Sequence, residues 1–307
     1  MLKANVIVIC GPTALGKTAV AIDLAKAFSA EIIGADSMQI YRYMDIGTAK
    51  PNPDEQAAVP HYMIDIVDPN EPFDARQFAK KAREKILTLH ARGVVPFVVG
   101  GTGLYIKALV HGLFPAAPSN PDIRRRLKEE GKIRGADSLY NRLNRCDPES
   151  AKRLHPNDTY RIIRALEVYE LTGKRISEYH RAHRFMDMPF NVLKIGLNMN
   201  RDLLYDRIDR RIDGMIDAGL LDEVKGLLNM GHSADLKSMQ SIGYRHMVDF
   251  IQNRSSWNEA LRTLKRDTRR YAKRQLTWFK ADSEIKWSEP DQIQDIRQMI
   301  KKFLQAD

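Results

Sequence analysis

Residues Gly11-Pro12-Thr13-Ala14-Leu15-Gly16-Lys17-Thr18 have the spacing Gly-x4-Gly-Lys-Ser/Thr, the pattern of a loop that cradles phosphate. Glycines let successive backbone N–H groups turn inward on an anion. A helix starting there adds partial positive charge at its N-terminus. Lys17 supplies a full charge, and the Thr18 hydroxyl suits a Mg²⁺ ion. The ligand class is pyrophosphate-like; the loop alone specifies neither the compound nor any transfer of a phosphoryl group.

Other side chains could act beside such a loop. Asp36 follows the short apolar run Glu31-Ile-Ile-Gly34, and ligands in open α/β sheets gather at strand C-termini. A carboxylate there can hold Mg²⁺, take a proton or bond a substrate amine; it can equally cap the next turn. Gln39 offers a donor and an acceptor to a base edge, and Tyr41 offers a stacking face or a core side chain. Thr102 lies in a second glycine turn, Gly100-Gly101-Thr102-Gly103, where its hydroxyl serves a reacting group or simply the turn. Arg207 and Arg211 share a helix face and Arg210 lies on another. A guanidinium aimed into the crevice would neutralise a departing pyrophosphate, although a solvated basic face is the ordinary meaning of such a run. Residues 262–280 carry Arg262, Lys265, Arg266, Arg269, Arg270, Lys273, Arg274 and Lys280, interleaved with Tyr271, Trp278 and Phe279. Basic groups contact phosphates and aromatics stack bases; the aromatics could equally face a core.

The elements that must position these groups can be read from periodicity. Residues 5–10 form an apolar β-branched run and residues 18–28 have helical spacing, so the loop has the strand–loop–helix setting it needs. Strands are expected at 31–34, 61–66, 94–99 and 191–197. Helices are expected at 73–92, 203–218, 221–230 and 257–280. Alternating strands and helices imply an α/β fold, a doubly wound parallel sheet around the phosphate loop. Pro115, Pro118 and Pro121, with small residues between 114 and 121, mark a linker. The stretch 122–172 then reads as helical and basic. The division is residues 1–115 with 190–307 as an α/β core and C-terminal helices, and 116–189 as an all-helical insertion.

Bulk properties narrow the class. A chain of 307 residues with 43% hydrophobic and 29% charged residues is ordinary for a globular protein. Its formal net charge of +10 points to an anionic partner, with nucleic acid the natural polyanion. Two cysteines, Cys10 and Cys146, support neither a disulfide framework nor a cysteine zinc site. No run is long enough to span a membrane and no signal pattern opens the chain, so a cytoplasmic monomer is expected.

Eight motifs, taken together, are highly specific: residues 11–18; Asp36-Ser37-Met38-Gln39-Ile40-Tyr41; 45–51; 99–105; His155-Pro156-Asn157-Asp158; 161–168; Ile242-Gly243-Tyr244-Arg245; and Lys273-Arg274-Gln275-Leu276-Thr277-Trp278. In this order, over nearly the whole chain, they resemble the bacterial-type tRNA dimethylallyltransferases. The resemblance implies transfer of a dimethylallyl group from dimethylallyl diphosphate to N6 of adenosine 37 in the tRNA anticodon loop. It implies Asp36 as general base, Thr102 placing the acceptor, Gly11 to Thr18 holding the diphosphate with Mg²⁺, and Arg211 on the leaving group. It further implies tRNA contacts at Asp36, Ser37, Met38, Gln39 and Thr102. In the helical, tRNA-binding insertion these contacts continue at Arg124, Tyr160, Arg161, Ile162, Ile163 and Arg164, and near the C-terminus at Gln240, Ser241, Ile242, Gly243, Tyr244 and Arg245. Leu15 stands where a smaller residue is common in the family; its side chain should point away from the phosphates. A small-molecule kinase would share the phosphate loop without explaining the basic surface. A GTPase would need an Asn-Lys-x-Asp signature that is missing here. An isopentenyltransferase acting on free nucleotides would not need the insertion.

Overall fold

The apolar strand Ala4–Cys10 (β1) is buried from Val6 to Cys10, as expected of a strand covered on both faces. It joins a parallel sheet with β2 (Glu31–Gly34), β3 (His61–Tyr62), β4 (Pro96–Gly100), β5 (Phe190–Leu197) and β6 (Lys286–Ser288). The order is β3-β2-β4-β1-β5-β6, and every pair is parallel. The computed structural model describes residues 3–113, 119–183 and 188–306, and these six strands are those found among them. The chain builds outward on one side of β1, then crosses to β5 on the other. In such sheets the crevice at the reversal is where ligands bind.

Four of the six strands, β1, β2, β4 and β5, fall where the periodicity puts them. The expected strand 61–66 pairs only over His61 and Tyr62. Met63 (φ 64°) and Asp65 (φ 53°) take left-handed backbone conformations, which cannot continue a pleated strand. Helices Lys17–Ala27, Ala75–Ala91, Arg201–Asp217, Leu220–Asn229 and Trp257–Lys280 match their expected positions closely. Short elements were not foreseen: helices Pro53–Ala58, Gly103–His111, Ile176–His183, Tyr244–Ile251 and Ile293–Leu304, and β6.

The described chain divides into two compact units, Met1–Val110 with Met188–Asp307, and His111–Asp187. The first holds the sheet. The second is helical, with a core that includes Leu127, Leu139, Leu143, Ile162 and Leu166. Within it the fully buried Glu167 accepts the Asn120 N–H (2.7 Å) and pairs with Arg124 (3.0 Å) and Arg164 (2.6 Å). Of the expected linker, residues 114–118 lie outside the described residues. Among the described residues, no helix is long and apolar enough to cross a membrane.

Candidate active site

Where β1 ends, the chain enters the phosphate loop. Ala14 (φ 68°) and Gly16 (φ 77°) both take left-handed conformations, the second at the N-cap of helix Lys17–Ala27. No side chain caps that helix, so its first-turn N–H groups are left to an incoming anion. The Lys17 Nζ donates to the Pro12 carbonyl at 2.7 Å. Burial, reinforced by the charge of Arg211, lowers the Lys17 ammonium to about 8, while Asp36 pulls it upward. Thr13, Ala14, Gly16, Lys17 and Thr18 line a cavity of about 330 Å³. Gly11, Pro12 and Leu15 are buried; Leu15, fully buried, packs against Gly11 and leaves the cavity to the backbone.

Asp36 lines the same cavity. Its Oδ1 accepts the Met38 N–H at 2.8 Å and the Gln39 N–H at 3.4 Å. Turn cap and candidate base are therefore the same residue: one oxygen fixes the turn, and Oδ2 takes no hydrogen bond among the described residues. Thr102 holds this turn from both sides. Its N–H donates to the Ala35 carbonyl (3.1 Å) and its Oγ1 accepts the Ser37 N–H (3.0 Å), although Thr102 itself does not line the cavity. Ser37, Met38 and Gln39 do. Both amide hydrogens of Gln39 are spent on the Thr48 and Ala49 carbonyls, at 3.2 and 3.0 Å, which leaves its carbonyl oxygen for a ligand. Tyr41 is buried.

Arg211 reaches the cavity from helix Arg201–Asp217, its Nη1 donating to the Thr13 hydroxyl at 3.3 Å. Burial lowers its pKa and Asp36 raises it. Arg207 and Arg210 are exposed. Away from the charges the lining turns apolar, with Ile208, Ile212, Met215, Leu220, Ile242 and Leu264. One pocket thus has a cationic, N–H-rich end, an apolar wall, and a carboxylate near both. It can hold a small amphiphilic diphosphate, stabilise its departure as pyrophosphate, and offer Asp36 to a proton.

This chain matches the IPP transferase family over residues 39–282. It belongs to that family. It is 55% identical to a tRNA dimethylallyltransferase of Syntrophobacter fumaroxidans over 92% of this chain and 82% of the relative. It is 50% identical to the same-named protein of Desulfosudis oleivorans over 98% and 96%. Among solved structures it resembles the tRNA isopentenylpyrophosphate transferase of Bacillus halodurans (42% identity, TM-score 0.75, 99% of this chain and 98% of that one). It also resembles a eukaryotic dimethylallyltransferase acting on tRNA (30% identity, TM-score 0.76, 94% and 74%).

Two supports of the site in this IPP transferase escaped sequence reasoning. Glu223, on helix Leu220–Asn229, accepts the N–H groups of Asp45 (2.9 Å), Ile46 (2.7 Å) and Gly47 (3.1 Å) and the Tyr244 hydroxyl (2.6 Å). A carboxylate thereby fills a backbone nest and holds the loop whose Gly47, Thr48 and Ala49 line the cavity. Gln275, on the basic helix Trp257–Lys280, bonds both the phosphate loop and the second glycine turn. The signal for Gln275 was its place within the quoted motif at 273–278; Glu223 carried none. Tyr271 lines the cavity and Phe279 is buried, whereas Trp278 is 45% exposed and packs its ring over Gly103.

The expected nucleic-acid contacts are unevenly exposed. Tyr160 and Arg161 are exposed, but Ile162 and Ile163 are in the core of the helical unit, so their side chains have no surface to offer an RNA. Arg124 and Arg164 are partly exposed and share Glu167. In the other unit Gln240 is exposed, Ser241, Ile242 and Gly243 line the cavity, Tyr244 is buried on Glu223, and Arg245 pairs with Asp267. Each unit also carries a basic groove of its own. One includes Arg124, Arg125, Lys128 and Lys132; the other includes Arg201, Lys265, Arg266, Arg270 and Lys273.

Proposed function

We propose that this IPP transferase moves a dimethylallyl group from dimethylallyl diphosphate to N6 of adenosine 37 in the anticodon loop of tRNA, releasing diphosphate. The observation that carries the reading is the single cavity lined together by Asp36, the phosphate loop and apolar side chains. The names of relatives at half identity over nearly the full chain support it.

The diphosphate lies against the open N–H groups of the loop, Lys17 and Arg211, with its five-carbon tail on the apolar wall. An adenine N6 amine is a weak nucleophile because its lone pair is shared with the ring. As its nitrogen bonds the allylic carbon, the carbon–oxygen bond to diphosphate breaks and Asp36 takes the amine proton on Oδ2. A base of this kind contributes about 10²–10⁴-fold. The developing charge on the leaving group meets donors already in place. The target base must leave its stack to enter the pocket, which costs least in a single-stranded loop. Ser37 to Gln39, Thr102 and the segment 240–245 would contact the loop, and the basic grooves its phosphates.

The residues fit a Mg²⁺ ion. Thr18 lines the cavity and its hydroxyl is the oxygen it would offer, and Mg²⁺ takes few protein oxygens when substrate phosphates and water supply the rest. Bound there, the ion would neutralise charge on the diphosphate.

The test is incubation with tRNA, Mg²⁺ and dimethylallyl diphosphate, followed by nucleoside mass analysis. A dimethylallyl mass gain on adenosine 37 is expected, with none when ATP replaces the donor. An unmodified nucleoside pool refutes the assignment.

A further inference from the structure

Gln275 lines the cavity beside Asp36 and Lys17 and ties the phosphate loop to the second glycine turn. It is buried on helix Trp257–Lys280. Its Oε1 accepts the Thr13 N–H at 2.9 Å and its Nε2 donates to the Gly101 carbonyl at 2.8 Å. One partner can only donate and the other only accept, so the amide has a single orientation. Gly101 is followed by Thr102, whose backbone and hydroxyl hold Ala35 and Ser37 on either side of Asp36. Hydrogen bonds on either side of the Gly101–Thr102 peptide link therefore connect Thr13 in the cradle, through Gln275, to the turn that carries the candidate base. The fit is close: a methyl group added at Gly101 would come within 2.3 Å of the Gln275 Nε2. The next turn of the same helix face lays Trp278 over Gly103, so the helix grips the second glycine turn at two points.

We infer that Gln275 is a positioning residue that fixes the phosphate loop against the second glycine turn, on which the Asp36 turn leans, and so aligns the leaving group with the accepting amine. The inference rests on the dimethylallyl-transfer reading above. An amide bridges the two loops with one donor and one acceptor at fixed separation. Leucine matches its bulk but can bond neither loop, and asparagine keeps the amide one methylene short.

In the full chain, Gln275→Leu and Gln275→Asn should lower kcat at saturating tRNA and dimethylallyl diphosphate by about 10²-fold, the loss expected of an ångström-scale misplacement. Inorganic pyrophosphate, titrated by calorimetry, should bind nearly as tightly as to the parent protein, because the cradle's own donors remain. Gly101→Ala, which displaces the amide from the other side, should reproduce the kcat loss. Should the leucine variant fail to fold, Gln275→Met decides the matter. It keeps the side chain's length and adds no charge but has no donor for Gly101, and the same fall in kcat is expected. Normal turnover in these variants overturns the inference. So does a kcat loss matched by an equal loss of pyrophosphate affinity, which would make Gln275 part of the cradle wall. A parent protein that modifies no tRNA sinks the transfer reading itself, whereas an active parent with normal Gln275 variants sinks only the role given to this residue.

Discussion

Lys17 gives anion binding a pH dependence that can be worked out in advance. Burial and the neighbouring Arg211 hold its ammonium at about 8. A diphosphate seated beside it adds negative charge and restores the protonated form. Below that pH Lys17 carries its proton with or without the ligand, and affinity is level. Above it, binding must first recover the proton, so the association constant falls about tenfold per pH unit and roughly 30-fold between about pH 7 and about pH 9.5. Calorimetric titration of pyrophosphate in buffers of different ionisation enthalpy counts the protons taken up: near zero at the lower pH, approaching one at the higher. Lys17→Arg keeps its charge across this range, so the difference between the two proteins removes the titration of pyrophosphate itself. Parallel affinity curves, or equal proton uptake in both proteins, refute the reasoning. The same shift has a sign for stability. The folded protein disfavours the ammonium, so its burial weakens the fold below about pH 8, and the penalty fades as the pH climbs toward the unfolded lysine value of about 10.4.

Asp36→Asn should lower kcat by about 10²–10⁴-fold while tRNA binding, followed by filter retention, stays near that of the parent; normal turnover would remove Asp36 from the base role. Arg270→Glu with Lys273→Glu should raise the tRNA KM and flatten its salt dependence, whereas Arg269, which both bonds Asp209 and is less exposed, is a poorer probe than Arg270, whose pair with Asp267 is long at 3.8 Å; an unmoved KM and salt slope would take this helix away from RNA. Glu223→Ala strands three N–H groups and a tyrosine hydroxyl and should cost about 2 kcal/mol in urea unfolding. A variant as stable as the parent would mean that water replaces the carboxylate in the nest.

Local pattern carried much of this. An apolar β-branched run, a glycine loop of fixed spacing and an amphipathic helix are decided within about thirty residues, so the cradle and the parallel sheet around it were legible in the sequence. The ends of β2 and β4 could be placed on the same edge of the sheet by the topology rule alone. Where the pattern was short it misled. The strand at 61–66 stops after two residues because Met63 and Asp65 turn left-handed, and the chain beyond bonds instead to the carbonyls of Gln39 and Ile40, partners that no local pattern announces.

What the sequence by itself determined is therefore the chemistry on offer: a loop patterned for a pyrophosphate-like ligand and a carboxylate expected at a strand end beside it. Only the tertiary structure decided which side chains share a cavity. Arg211 enters it and Arg207 does not, Tyr271 lines it and Ile162 is core, and a glutamine and a glutamate far along the chain hold its loops in place. The physical reason is range. A hydrogen bond between Thr13 and Gln275 spans 262 residues of chain, and no local periodicity records such a partner.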